Sequence, residues 1–268
     1  MKKTVWIVTC GLAAMAAAAQ PLEECGRQLL ADYGYSLLPI RAVIRLEAPG
    51  LPRGPQEREV AAWGTVVAGN GLTVISATAL SPFSGLTEAF ERSGIRPTTS
   101  VSQIRIRRRD GLEVPARQIL TDEELDITFL LPESDEDRAR SWPKPVVFTA
   151  GVQARAMDKL IGLAGTGEMF QWIPLVGSVE VNGVVEQPRR MYLIARPFSN
   201  MTGMPVFLAD GRPLGLTVIR REAVPASTGQ GAQVQQAIVV LPADDLAEMM
   251  TRALEAARTA GETKKETP

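Results

Sequence analysis

The sequence predicts an all-β protein built from two antiparallel barrels or sandwiches, with a short helix at each end. Short apolar or alternating runs separated by turn signals recur at even spacing through most of the chain, a pattern typical of such folds. Residues 133–145 interrupt this series with an acidic, proline-containing stretch that favours a solvated linker. The predicted β units therefore cover residues 39–132 and 146–240.

Turn signals delimit the predicted strands of the first unit. Gly69-Asn70-Gly71 separates two apolar runs and predicts a hairpin. The alternating run 104–107 meets its partner strand across Asp110-Gly111, and residues 127–131 have the composition of a buried strand. These features predict antiparallel neighbours joined by tight turns.

The second unit and the two ends follow the same reasoning. Its predicted strands are residues 159–162, 176–181, 191–195, 206–208, 214–219 and 237–240. Turns are predicted at Asn182-Gly183 and Asp210-Gly211. Helical patterns predict an N-terminal helical segment over 20–38 and a C-terminal helix over 241–260. The polar residues 261–268 predict a disordered tail.

The first nineteen residues have the layout of a cleavable secretory signal peptide. Lys2 and Lys3 precede an apolar run that ends in small residues, which predicts cleavage near Ala19. A secreted or periplasmic location follows, with no stable membrane span after cleavage. The alternative is a lipoprotein with Cys10 lipidated; Thr9 stands where that signal has a smaller residue.

Composition excludes several classes of function. The chain contains no histidine, and its formal net charge is −1, whereas a nucleic-acid-binding domain is normally strongly basic. After signal cleavage Cys25 is the only cysteine, so no intramolecular disulfide is possible, and the thiol is either buried and inert, the favoured reading, or paired with another chain. Without histidine, zinc or another metal cofactor is not expected, and no motif predicts another cofactor.

Two groups of side chains have competing interpretations. Arg105 and residues 107–109 form a basic run, but Ile104 and Ile106 alternate with it, which favours a solvated strand face over a nucleic-acid patch. Four aromatic residues are expected in the core, namely Trp63, Trp142, Phe170 and Trp172. Because Phe170 and Trp172 precede a turn, the alternative for these two is that they line a groove.

Four segments carry a family resemblance. They are GLTVISATAL at residues 71–80, DITFL at 126–130, NMTGMPVF at 200–207 and LGL at 214–216. In this order and spacing they resemble four segments of HtrA-type, trypsin-like serine proteases. These are the strand that leads to the catalytic base, the strand that follows the catalytic aspartate, the turn that carries the nucleophile, and the strand after that turn. The resemblance spans about residues 40–258 and implies a chymotrypsin-like pair of six-stranded antiparallel barrels. The PDZ domain usual in that family is not expected after the C-terminal helix.

The resemblance also implies where a catalytic site would lie. The base, aspartate and nucleophile positions fall on Thr78, Asp126 and Thr202, and the oxyanion turn falls on Asn200, Met201 and Thr202. A threonine hydroxyl has no useful basicity near neutral pH, and the family's mechanism requires an imidazole. No residue at these degenerate positions is expected to be catalytically active.

Two hypotheses about function remain. The first is an inactive protease homologue that binds a peptide or protein partner in the cleft between the barrels, with Asp126 buried and held by backbone amides and the Thr78 hydroxyl. The alternative is a hydrolase of altered mechanism with Thr202 as nucleophile. That mechanism needs a lysine base, and only Lys144 and Lys159 lie outside the predicted signal peptide and tail. The sequence names neither the partner nor the oligomeric state.

Overall fold

The computed structural model describes residues 21–49, 51, 54–198, 200–224 and 233–262. The expected signal peptide, Cys10 and the cleavage site near Ala19 lie outside the described residues, as do residues 263–268 of the expected tail. Within the described residues, every helix is too short or too polar to cross a lipid bilayer.

Two closed, six-stranded antiparallel barrels form the molecule, which confirms the predicted all-β double barrel. The strands of the first barrel are β1 (Leu37–Glu47), β2 (Gln56–Val66), β3 (Thr73–Ser76), β4 (Thr98–Arg107), β5 (Glu113–Asp122) and β6 (Ile127–Pro132). Those of the second are β7 (Lys159–Gly165), β8 (Pro174–Val185), β9 (Met191–Ala195), β10 (Pro205–Leu208), β11 (Pro213–Val224) and β12 (Gln233–Pro242). Around each barrel the order is β1-β2-β3-β6-β5-β4 and β10-β11-β12-β9-β8-β7.

The helices lie at the ends and in the connections. The α-helices are α1 (Leu22–Tyr33), α2 (Ser84–Arg92), α3 (Asp135–Ala139) and α4 (Ala243–Glu262), and short 3₁₀ turns cover Gly34–Ser36, Ala77–Leu80 and Glu168–Phe170. Both terminal helices match the prediction, and α4 extends past Gly261. Cys25 on α1 is buried in the core, as favoured for the cysteine expected to remain after signal cleavage. This burial, followed by the charge of Asp210, raises the pKa of its thiol.

The turn predicted at Asn182-Gly183 is wrong. Strand β8 runs through these residues, and its register with β9 shifts between Val181 and Gly183. The physical reason is a β-bulge, since glycine inside a strand commonly marks an extra residue rather than a reversal. The chain instead reverses between Val185 and Met191.

The predicted solvated linker is partly a folded segment. It contains α3, whose N-cap Ser134 accepts a hydrogen bond from the Asp137 amide. Trp142 beyond the helix is buried, and its ring covers Gly71 so closely that a Cβ there would collide with it. The indole N–H donates to the Asp137 carbonyl at 2.9 Å. The linker therefore closes one end of the first barrel.

A shared apolar cluster joins the two barrels. Trp63 of β2 packs against Gly165 of β7, at a spot where any side chain on residue 165 would clash. The Trp63 indole N–H donates to the Thr166 carbonyl at 2.9 Å. These contacts bring the ends of β3 and β6 in one barrel close to β10 and β11 of the other.

Candidate functional site

Asp126 is the centre of the polar contact between the barrels. It lies immediately before β6, is 4% exposed, and has a positive φ of 58°. Its Oδ1 accepts from the Thr78 amide at 2.7 Å, and its Oδ2 accepts from the Ser76 hydroxyl and from the Ile219 amide, each at 2.7 Å. Because Ile219 belongs to β11, this one carboxylate fastens the two barrels together.

The expectation that the Thr78 hydroxyl holds Asp126 is wrong; Ser76 supplies the hydroxyl. Ser76 ends β3 opposite Ile127 of β6, so its side chain lies beside the carboxylate. Thr78 follows in the 3₁₀ turn and directs only its backbone amide to Asp126. Sequence reasoning missed Ser76 because the family resemblance directed attention to position 78.

The turn that carries Thr202 packs against the same end of the first barrel. Asn200 and Gly203 both have positive φ, of 59° and 79°. A Cβ on Gly203 would lie 3.1 Å from the Ser76 amide nitrogen and 3.4 Å from the Trp63 carbonyl oxygen. Thr202 is therefore one residue from a turn glycine that faces Ser76. Thr202 itself is half-buried, and the groove that contains Thr78 and Asp126 does not include it among its lining residues.

Hydrogen bonds from within the second barrel hold this turn. The Gly203 amide donates to the Thr217 carbonyl at 2.7 Å, and the Met204 amide donates to the Met201 carbonyl at 3.1 Å. The buried Thr217 hydroxyl donates to the Met201 carbonyl. Sequence reasoning missed Thr217, whose position inside an apolar strand is its only signal. Among the described residues, the Asn200 and Thr202 amides have no acceptor.

Apolar side chains fill the space behind the turn. Met201 and Met204 are both fully buried. The Met201 side chain lies over Gly162, and the Phe198 ring lies over Gly177, where a Cβ would be 2.9 Å from the ring. Both methionines belong to the apolar core cluster that the two barrels share.

A groove of about 920 Å³ lies along the first barrel where it meets β11 of the second. Its walls include Thr78 and Asp126 from the first barrel and residues 219–221 of β11 from the second. Strand β10 pairs with β11 only through Leu216, whereas β12 accompanies β11 to Val224. One edge of β11 therefore faces the groove without a neighbouring strand.

Neither available lysine is arranged to act as a base. The Nζ of Lys144 is 3.2 Å from Asp32 and lies over the Tyr33 ring. The hydrogen bond with Asp32 raises the pKa of Lys144, whereas a lysine base needs a lowered one. Lys159 is exposed at the start of β7. Among the described residues, no three acidic or cysteine side chains converge on a possible metal site.

Comparison with known proteins gives a structural match only. No family model matches the sequence, and no curated protein matches it. The solved structure of an HtrA-type protease, AlgW with a decapeptide, matches with a TM-score of 0.54 and 13% sequence identity. The match covers 85% of this chain and 67% of that one. Together with the double six-stranded barrel, it shows a trypsin-like protease fold.

Proposed function

We propose that this protein is a secreted or periplasmic, catalytically inactive homologue of trypsin-like proteases, and that it binds an extended peptide segment in the groove between its barrels. One observation carries the proposal: the carboxylate at the aspartate position accepts three hydrogen bonds from the fold itself. In the protease mechanism that carboxylate orients an imidazole. This chain has no histidine, and the Asp126 carboxylate instead links the two barrels through its hydrogen bonds.

The environment of Thr202 supports inactivity. A hydroxyl nucleophile needs a neighbouring group to take its proton. Thr78, at the base position, offers a hydroxyl with no useful basicity, and Lys144 is held as an ammonium by Asp32. Buried methionines fill the space behind the turn.

The free edge of β11 supports peptide binding. In an antiparallel strand, alternate residues direct both backbone polar groups to the same edge. The Ile219 amide points into the groove at Asp126, so the Ile219 carbonyl and the Arg221 amide face the same side. An extended peptide can add to such an edge through main-chain hydrogen bonds. AlgW, the structural match, was solved with a decapeptide.

A fluorophosphonate probe tests inactivity. It labels activated hydroxyl nucleophiles covalently and ignores inert ones. The mature chain, residues 20–268, is expected to stay unlabelled, like its Thr202→Ala variant. Labelling that disappears in Thr202→Ala would instead support the hydrolase hypothesis, with Thr202 as nucleophile.

An edge-blocking variant tests peptide binding. Arg221→Pro removes the amide that faces the groove and leaves the ladder with β12 intact, because that ladder uses the neighbouring residues. Binding of an immobilised random decapeptide library should fall for Arg221→Pro and stay unchanged for Arg221→Gln, which removes the same charge. Equal binding by all three proteins would reject the β11 edge as the binding site.

A further inference from the structure

A second groove, rich in arginine, lies apart from the inter-barrel groove and shares none of its lining residues. It has a volume of about 640 Å³ and lies between α1, the end of β4 and the loop before β8. A cavity of about 500 Å³ adjoins it, and the two share Tyr35, Leu38, Arg108 and Arg109. We refer to both together as the arginine groove.

Two of the four arginines that line this groove have no ion pair within the described part of the chain. Neither Arg107 nor Arg109 forms an ion pair with a described carboxylate. The Arg109 guanidinium lies 3.6 Å from the centre of the Tyr35 ring, which fixes its position without consuming its charge. Arg27 opposite them forms only an exposed pair with Glu24. The groove thus carries a net positive charge on a chain that is slightly acidic overall.

Two buried donors lining this groove have no acceptor in the described part of the chain. They are Nη1 of Arg108 and the indole nitrogen of Trp172. The other terminal nitrogen of Arg108 contacts Asp110 at 3.3 Å. Trp172 also has a φ of 58°, a conformation that is strained for a bulky residue. Both donors are closed to solvent, and the Arg108 guanidinium also lies over the Trp142 ring, 5.5 Å from its centre.

The remaining lining is apolar. Leu30, Leu38 and Pro174 line the groove, and Ile173 beside them is 53% exposed. We propose that the arginine groove binds an acidic peptide segment that also carries an apolar side chain. Its carboxylates pair with Arg107 and Arg109, and its apolar side chain covers Ile173.

The shape and charge favour a peptide over a nucleic acid. Nucleic-acid binding depends on many phosphate contacts along a basic surface, whereas here the cations line a groove that also presents apolar side chains. The sequence-based interpretation of Arg105 and residues 107–109 as a solvated strand face holds for Arg105, which is exposed and paired with Glu113. It fails for Arg108, whose largely buried guanidinium lies over the Trp142 ring and beside Asp110.

Fluorescence anisotropy on the mature protein tests this proposal. The probe is a fluorescein-labelled decapeptide of glutamate, aspartate and leucine, and its control has glutamine and asparagine in place of the acids. We expect saturable binding of the acidic peptide only. Arg109→Gln should weaken it about tenfold. Arg105→Gln, within β4 and with the same charge change, should leave the dissociation constant within about twofold.

Each other result would overturn the proposal. Absence of saturable binding, or equal weakening by both variants, would mean that no specific acidic-peptide site exists. Tighter binding of a labelled oligothymidylate or of anionic phospholipid vesicles, lost in Arg109→Gln, would assign the groove to another class of ligand. Because the site is separate, these outcomes leave the proposal for the inter-barrel groove intact.

Discussion

The Asp126 cluster and the arginine groove use polar side chains in opposite ways. Both oxygens of Asp126 are satisfied by the Ser76 hydroxyl and by two backbone amides. In the arginine groove, buried donors on Arg108 and Trp172 have no acceptor among the described residues. Burying a polar group without a partner is unfavourable. The carboxylate at the position of the protease aspartate is thus satisfied by the fold, whereas the groove that we propose binds a partner keeps unpaired cations.

The largest effect is expected at Asp126. Asp126→Ala leaves three donors unsatisfied and places alanine at a positive φ, which should lower the free energy of unfolding by about 4 kcal/mol. Urea unfolding followed by fluorescence measures it. Asp126→Gly separates the two causes, since glycine accepts the backbone conformation, and it should still lose most of that stability.

Asp126→Asn refines the same comparison. Its single amide oxygen can accept from Ser76 and Ile219 but then turns its NH₂ group toward the Thr78 amide. Asparagine also tolerates a positive φ. We expect a loss about half that of Asp126→Ala. A parent-like urea midpoint for all three variants would mean that the hydrogen bonds of Asp126 do not stabilise the fold.

A smaller effect separates Ser76 from Thr78. Ser76→Ala removes a hydrogen bond to a carboxylate and should lower the free energy of unfolding by about 2 kcal/mol. Thr78→Val keeps the amide that Asp126 accepts and should change it by less than about 0.5 kcal/mol. The reverse ranking in urea melts would restore the sequence-based expectation for the Thr78 hydroxyl.

The smallest effect concerns α3, which anchors Trp142 at the edge of the arginine groove. The Ser134 hydroxyl and then Arg140 hold the pKa of Asp137 below its usual value. A lowered folded-state pKa stabilises the protein above the unfolded value of about 3.9, and this contribution disappears as pH falls through the folded-state pKa. Ser134→Ala should therefore lower the melting temperature at neutral pH. In acid, the difference in melting temperature between this variant and the parent should become smaller. Thermal melts across this pH range measure it, and a difference that grows in acid would contradict it.

The sequence predicted the barrels better than the contacts between them. Alternating runs and Asp-Gly turns depend on local chemistry, so two antiparallel β units followed from them, and the family resemblance added that each is a six-stranded barrel. The position of Arg108 over the Trp142 ring did not follow from them, because Trp142 lies far from it in sequence. Local patterns also could not tell whether Ser76 or Thr78 donates its hydroxyl to Asp126, because this depends on the register between β3 and β6. At Asn182-Gly183 a local signal was ambiguous, since a bulge and a turn both use glycine.

Hydrolysis by the unmodified mature chain tests the central claim most directly. Casein and a mixed peptide library would be incubated with the parent and with Thr202→Ala, from about pH 5 to about pH 9, the range over which a tuned side-chain base would act. The account predicts that both proteins stay at buffer background throughout. Cleavage by the parent that disappears in Thr202→Ala would contradict it.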